Sequence, residues 1–182
     1  CVTKDVTVPT FLLVRHGEND YMKLGRLACR LPGIHLNDAG RLQAQATAEM
    51  IAHFISQAAA QHTDQEKAHK QADVPVRVVV YSSPMERAME TAAPIAQTLD
   101  LEVIVRDGLI ETNCADWAGK TVKSLQRRKD WKVILNTPSQ FRFPGGESFK
   151  ECQQRMVDEI ESLRTQHGSR DLVICVSHAD PI

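Results

Sequence analysis

Several things are missing from this sequence, and each absence excludes something. Its 182 residues hold no apolar run near the ~18 that would span a bilayer. The opening CVTKDVTVPT has no signal-peptide apolar region. A net charge of −1 gives no electrostatic pull toward nucleic acid or a membrane surface, and neither is expected as a partner. The five cysteines, at positions 1, 29, 114, 152 and 175, are odd in number and never spaced C-x-x-C. That pattern argues against a disulfide framework or a zinc site, and for a reducing, cytoplasmic setting. H-E-x-x-H, G-x-S-x-G and the dinucleotide fingerprint are absent. AGKT (118–121) is no P-loop, because Cys114 stands where that motif needs its first glycine. No internal repeat or low-complexity tract stands out.

What is present reads as one globular domain, 42% hydrophobic and 25% charged. FLLV (11–14), VRVVVY (76–81), LVICVS (172–177) and the weaker LEVIV (101–105) are continuous aliphatic runs, the mark of strands buried on both faces of a parallel sheet. Helical segments lie between them. The segment beginning LNDAGRLQAQ places Leu42, Ala46, Met50 and Ile51 near helical spacing, with Asn37 or Asp38 as cap. Ser83, Pro84 and Glu86 suggest a capping box, and Ser148 with Glu151 repeats it on a helix that closes at Gly168. Residues 58–75 read as a helix tail and an exposed linker inside the domain. The alternation predicts an α/β fold, a three-layer α/β/α sandwich with a mostly parallel central sheet. The chain opens on Cys1 and stops at SHADPI directly after an apolar run, so a single domain over 1–182 lacking its C-terminal segment is expected.

Three of the runs end in polar groups: Arg15-His16 after FLLV, Ser82-Ser83-Pro84 with Arg87 in the next helical turn, and His178 after LVICVS. Parallel strands end on one side, where α/β folds bind ligands. Two guanidiniums and two imidazoles near a helix start form an anion site, since Arg presents a planar fork to phosphate oxygens. Each residue alone would pass as a surface or satisfied strand-end group. Their coincidence points to a site.

The blocks LVRHGE, LNDAGRLQA (36–44), SSPMERAMETA (82–92), LIET (109–112) followed by ADWAG, PGGES (144–148) and VSHAD (176–180) resemble, in order, those of the histidine phosphatase superfamily, the phosphoglycerate mutase-like family. The resemblance implies its fold and its chemistry. His16 would be the nucleophile that forms a phosphohistidine, with Gly17 letting the backbone turn sharply. Arg15 and Arg87 would clamp the non-transferring oxygens, and His178 would share that task as a cation. Glu111 would protonate the leaving oxygen and then deprotonate water, with Glu102, Asp107 and Asp116 as neighbouring carboxylates. Asn19, where the family usually has Ser or Thr, could donate to phosphate. Met22 replaces an Asn of many members, Arg26 aligns with an arginine of some mutases, and Glu147 is either pocket or loop structure. No metal or other cofactor is implied, apart from a 2,3-bisphosphoglycerate primer if the enzyme is a mutase. Only about thirty residues separate Glu111 from PGGES, short of the insertion of true mutases, and Arg127, Arg128 and Lys129 there read as a solvated helix face. The expectation is therefore a phosphatase acting on a small phosphomonoester. The alternatives are a phosphoglycerate mutase and an inactive member that binds phosphorylated ligands or a protein. Oligomeric state is not legible.

Overall fold

A computed structural model of the chain describes residues 8–63, 75 and 77–182. In chain order it contains β1 (Thr10–Arg15), α1 (Asp20–Lys23), α2 (Asp38–Thr63), β2 (Arg77–Ser82), α3 (Glu86–Thr98), β3 (Val103–Val105), α4 (Val122–Leu125), α5 (Trp131–Asn136), α6 (Phe149–Gln166) and β4 (Asp171–Ser177). The four strands form one sheet in the order β1-β4-β2-β3, and every pair is parallel. The sheet expected to be mostly parallel is thus wholly so among the described residues.

Strand alternation divides the core in two. Leu172, Ile174 and Val176 of β4 and Val80 of β2 face α2 and α3, meeting Ala48, Ile51, Ala88, Ala92 and Ile95. Val173, Cys175, Val79 and Tyr81 face the other way, against Met156 and Leu163 of α6. Helices on both faces make the three layers. Because both faces of β4 are covered, its last six residues are all buried, which is why it reads as an unbroken apolar run. Each such aliphatic side chain contributes roughly 1.5–3 kcal/mol on burial.

α2 departs from the stripe read from its sequence. Leu42 and Met50 are 72% and 65% exposed, and Ala46 is exposed too. The inward face is Ala44, Ala48 and Ile51. Small alanines on α2 and α3 let the two helices lie close to the sheet, so the larger residues of α2 point outward. Asn37 is the cap, its Oδ1 accepting from Gly40 N at 2.9 Å. The helix tail expected at the start of residues 58–75 is the end of α2, which runs to Thr63; the expected linker falls on residues 64–74, outside the described residues. The Ser148–Glu151 capping box forms as expected. The one expected at Ser83 does not: α3 starts at Glu86 after Met85, and the Ser83 hydroxyl is used elsewhere.

A third cluster lies beyond the ends of the strands. Trp117 is fully buried there among Phe141, Phe143 and Leu125, and its ring stacks on that of Trp131. Inside it, Cys29 and Cys114 form a disulfide, with Cα atoms 5.8 Å apart across 85 residues of sequence. This corrects the reading that the cysteine pattern argues against disulfides. Cross-linking so long a loop stabilises by about 4–5 kcal/mol in the chain-entropy model.

Candidate active site

The strand register builds the site. Arg15 pairs with Ser177, and Ser82 with Val176. The ladder continues one residue further, His16 N donating to Ser177 O at 3.0 Å and Ser83 N to Val176 O at 2.9 Å. His16, Ser83 and His178 therefore emerge side by side, and the two imidazole centroids are 5.1 Å apart.

His16 is held in one tautomer. Its Nδ1 lies 2.7 Å from the Gly17 carbonyl, which can only accept, so Nδ1 carries the proton and Nε2 keeps its lone pair. Burial lowers its pKa to about 4; the Gly17 bond opposes this, and Arg87 and Arg15 add to it. The imidazole is neutral at physiological pH. Gly17 is required by packing rather than by a turn: a Cβ there would stand 2.5 Å from the Gly40 carbonyl oxygen, and one on Gly40 would strike the Glu18 carbonyl. The loop after His16 and the start of α2 thus interlock through two glycines. Gly17 N is satisfied by Thr91 Oγ1 at 3.0 Å, and that hydroxyl donates to Arg87 O at 2.7 Å.

Arg87 is fully buried at the centre. Its Nε donates to His16 Nε2 at 3.2 Å, and its Nη2 to His178 Nδ1 at 3.1 Å and to the Cys29 carbonyl at 2.8 Å. The same Nη2 is 3.8 Å from Glu111 Oε2. His178 Nδ1 is consequently an acceptor, and its Nε2–H donates to Ser83 Oγ at 2.8 Å. Burial, then Arg87, pushes its pKa down to about 2. The expected imidazolium at His178 is therefore corrected: here the ring is neutral, because its lone pair receives a guanidinium.

Glu111 is the carboxylate that reaches the centre; Glu102, Asp107 and Asp116 are exposed. Its Oε1 accepts from Thr112 N at 2.9 Å, and its Oε2 lies 3.6 Å from His178 Nδ1. Burial raises its pKa to about 7, the nearby Asp180 carboxylate adds, and Thr112 N, Arg87 and Arg15 oppose. Its backbone is clamped as well. Arg30 Nε donates to Glu111 O at 2.6 Å, and Arg155 Nη1 to the carbonyls of Gly108 and Ile110, both at 2.8 Å. Glu147 sits between these guanidiniums and takes Asn113 N at 2.9 Å. Burial alone would raise the pKa of Glu147, but those bonds hold it below the usual range. Glu147 is therefore a brace of the loop that carries Glu111.

His16, Glu111 and His178 place donor atoms within 4.8 Å of one another, a spacing that could hold a metal ion. Arg87 already occupies that position, donating to both imidazole lone pairs and facing the carboxylate. Two of the buried donors without partners among the described residues belong to this site, Asn19 Nδ2 and Arg87 Nη1. Orphaned buried donors cost roughly 1–3 kcal/mol each, and a tetrahedral oxyanion would supply acceptors. Asn19 Oδ1 is engaged as the cap of α1, accepting from Met22 N. Arg15 is exposed at the mouth, its guanidinium 3.9 Å from the Met22 sulfur. It and His16 line two cavities, one of about 350 Å³ toward Gln43 and Thr47, the other of about 160 Å³ bounded by Glu111, Leu27 and Phe143.

The structure thus brings together His16, Arg87, His178, Glu111 and Asn19, with Arg15 at the rim. Arg26 lines the smaller cavity but spends a guanidinium N–H on Gly119 O at 2.8 Å. Arg127, Arg128 and Lys129 are exposed, as expected of a solvated face. Sequence reasoning missed Ser83 as the partner of His178, Thr91 as a support of Gly17, and Arg30 and Arg155 as clamps. Ser83 and Thr91 lie inside a recognised block, and only their roles were illegible.

The model of the histidine phosphatase superfamily (branch 1) matches residues 11–74 and 64–182. Phosphoserine phosphatase 1 of Hydrogenobacter thermophilus is 30% identical over 173 residues, 94% of this chain and 71% of its own length. The solved phosphoserine phosphatase of Entamoeba histolytica, in complex with 3-phosphoglyceric acid, has a TM-score of 0.73 at 26% identity, over 93% of this chain and 74% of that one. Mycobacterial glucosyl-3-phosphoglycerate phosphatase, solved with VO3, has a TM-score of 0.72 at 25% identity, over 93% of this chain and 75% of that one.

Proposed function

Because this chain belongs to the histidine phosphatase superfamily, we propose that the pocket built on His16 hydrolyses a small phosphomonoester in two steps through a phosphohistidine. The observation that carries this reading is the pairing of a neutral His16, its Nε2 unprotonated and accepting from Arg87, with a Glu111 carboxyl poised near pH 7.

In the first step His16 Nε2 attacks phosphorus and the ester P–O bond breaks. Glu111 gives its proton to the departing alkoxide, and the Nδ1–H bond to Gly17 O stays intact. In the second step the Glu111 carboxylate takes a proton from water, the water oxygen bonds to phosphorus, and the P–N bond breaks. An acid whose pKa lies near the working pH serves both directions, and such a group contributes typically 10²–10⁴-fold. Arg87 shifts its Nε–H from His16 to a phosphoryl oxygen when substrate enters. Arg15 and Asn19 Nδ2 hold further oxygens, and His178 fixes Arg87 from the far side. With that guanidinium in place the reaction calls for no metal, and no primer is needed when water is the acceptor.

Phosphatase is favoured over mutase because similarity runs to phosphatases of phosphoserine and of glucosyl-3-phosphoglycerate. Among the described residues no helix is long and apolar enough to cross a membrane. With a disulfide present, the cysteine argument for a cytoplasmic setting falls away. What supports that setting is the substrate class, since phosphorylated metabolites are anions that membranes confine. The test is phosphate release from a panel containing phosphoserine, 3-phosphoglycerate and glucosyl-3-phosphoglycerate, with native chain and His16→Ala. Release that vanishes in the variant supports the reading, release that persists refutes it, and isomerisation without release makes the enzyme a mutase.

A further inference from the structure

The Cys29–Cys114 disulfide joins the loop whose carbonyl holds Arg87 to the loop that carries Glu111. On one side, the Cys29 carbonyl accepts from Arg87 Nη2, the nitrogen that also holds His178. On the other, Cys114 follows Glu111 by three residues, and both cysteines line the cavity bounded by His16 and Glu111. Cys29 has φ +47°, in the left-handed region a non-glycine residue rarely occupies. Such a conformation persists where surrounding constraints over-determine it. Next to it, Arg30 reaches the Glu111 carbonyl. One covalent bond thus ties an oxygen that aims Arg87 to the loop that aims Glu111.

We propose that the Cys29–Cys114 bond is a positioning element of this reaction, and that its reduction to two thiols lowers turnover. The inference rests on Arg87 as clamp and Glu111 as acid. A dithiol supplies two electrons and two protons, the S–S bond opens to two S–H groups, and the dithiol becomes a cyclic disulfide. Freed of the link, Cys29 relaxes from its positive φ. The peptide planes on either side of it reorient, and its carbonyl leaves Arg87. Cys152 and Cys175, the other described cysteines, are free thiols and already reduced, so a dithiol has no bond to open at either.

The test uses the native chain, oxidised and then treated with dithiothreitol, with the thiol state read by alkylation and peptide mapping. kcat is expected to fall 10- to 100-fold on reduction, the scale for misplacing reacting groups by about 1 Å. KM should change less than threefold, and reoxidation should restore kcat. The variant Cys29→Ala/Cys114→Ala should sit at the reduced-state rate and ignore the reductant, which also separates the effect from Cys1. A readout that needs no turnover is orthovanadate binding followed by tryptophan fluorescence, where reduction should weaken Kd at least tenfold. If nothing turns over while vanadate affinity still tracks the thiol state, the functional reading fails and the turnover half of this inference with it, while the bond's positioning of the Arg87 anion site stands. The inference is overturned by equal kcat and vanadate affinity in both states, by recovery of Cys29 and Cys114 as free thiols without reductant, or by loss of the folded circular dichroism signal along with kcat. Should the double variant fail to fold, reversible reduction of the native chain decides the matter.

Discussion

Replacing Glu111 by Gln should make this protein a worse catalyst and a more stable fold, by an amount that depends on pH. The carboxyl has pKa 4.5 when unperturbed and about 7 in the site, chiefly through burial. Between those values the folded chain keeps a proton that the unfolded chain has released. Stability therefore falls as pH rises from 4.5 through 7, by about 3 kcal/mol in all. The side chain is only 13% exposed, so solvent screening discounts little of this. Gln carries no charge to bury and can still accept from Thr112 N. At pH 8 the variant should thus melt higher by roughly 6–12 °C, at 2–4 °C per kcal/mol for a chain of this size. Below pH 4.5 the two curves should converge. On an alkyl phosphate, whose alkoxide needs a proton, kcat should drop 10²–10⁴-fold, whereas p-nitrophenyl phosphate, with its good leaving group, should lose far less. The assay is a melting series from pH 4.5 to 8.5 beside steady-state kinetics on both esters. A stability difference that ignores pH, or a variant less stable than native at pH 8, would refute the reasoning.

Other consequences are simpler. Gly40→Ala drives a methyl into the Glu18 carbonyl. Overpacking of this kind costs about 1–3 kcal/mol, and since the displaced backbone adjoins His16, chemical denaturation and kcat should both record it. Arg155→Met leaves the Gly108 and Ile110 carbonyls without their guanidinium; kcat should fall more than KM rises, while Arg155→Lys recovers part of the loss. Ser148→Ala removes the cap of α6 and should lower stability by about 1 kcal/mol in denaturant titration, with kcat unchanged.

The strand ends were legible because buried parallel strands are written as unbroken aliphatic runs, and the polar groups that stop them are conspicuous. His16 and His178 were found at such ends and Arg87 in the helical turn after one, whereas Glu111 was legible only through the resemblance carried by LIET. The α2 stripe was misread because its inward face is built of alanines, while periodicity draws the eye to Leu42 and Met50. Ser83 looked like a cap because local spacing carries no information about His178, 95 residues away. The Cys29–Cys114 pairing was invisible for the same reason. Protonation states were the least legible: a strand-end histidine suggests a cation until the guanidinium on its lone pair is seen.

Arg87 gives the resting site its own internal occupant. With His16 on one nitrogen and His178 on another, two of its three nitrogens are engaged before any ligand arrives, while Nη1 and Asn19 Nδ2 keep their donors free. An entering phosphate gains in full at those free donors, but at the nitrogens the imidazoles hold it gains only the difference between the bonds made and those displaced. When phosphate leaves, the guanidinium returns to the imidazoles, so departure is compensated. A site wired in this way should release phosphate more readily than one whose donors all stand free, which product-inhibition kinetics would show.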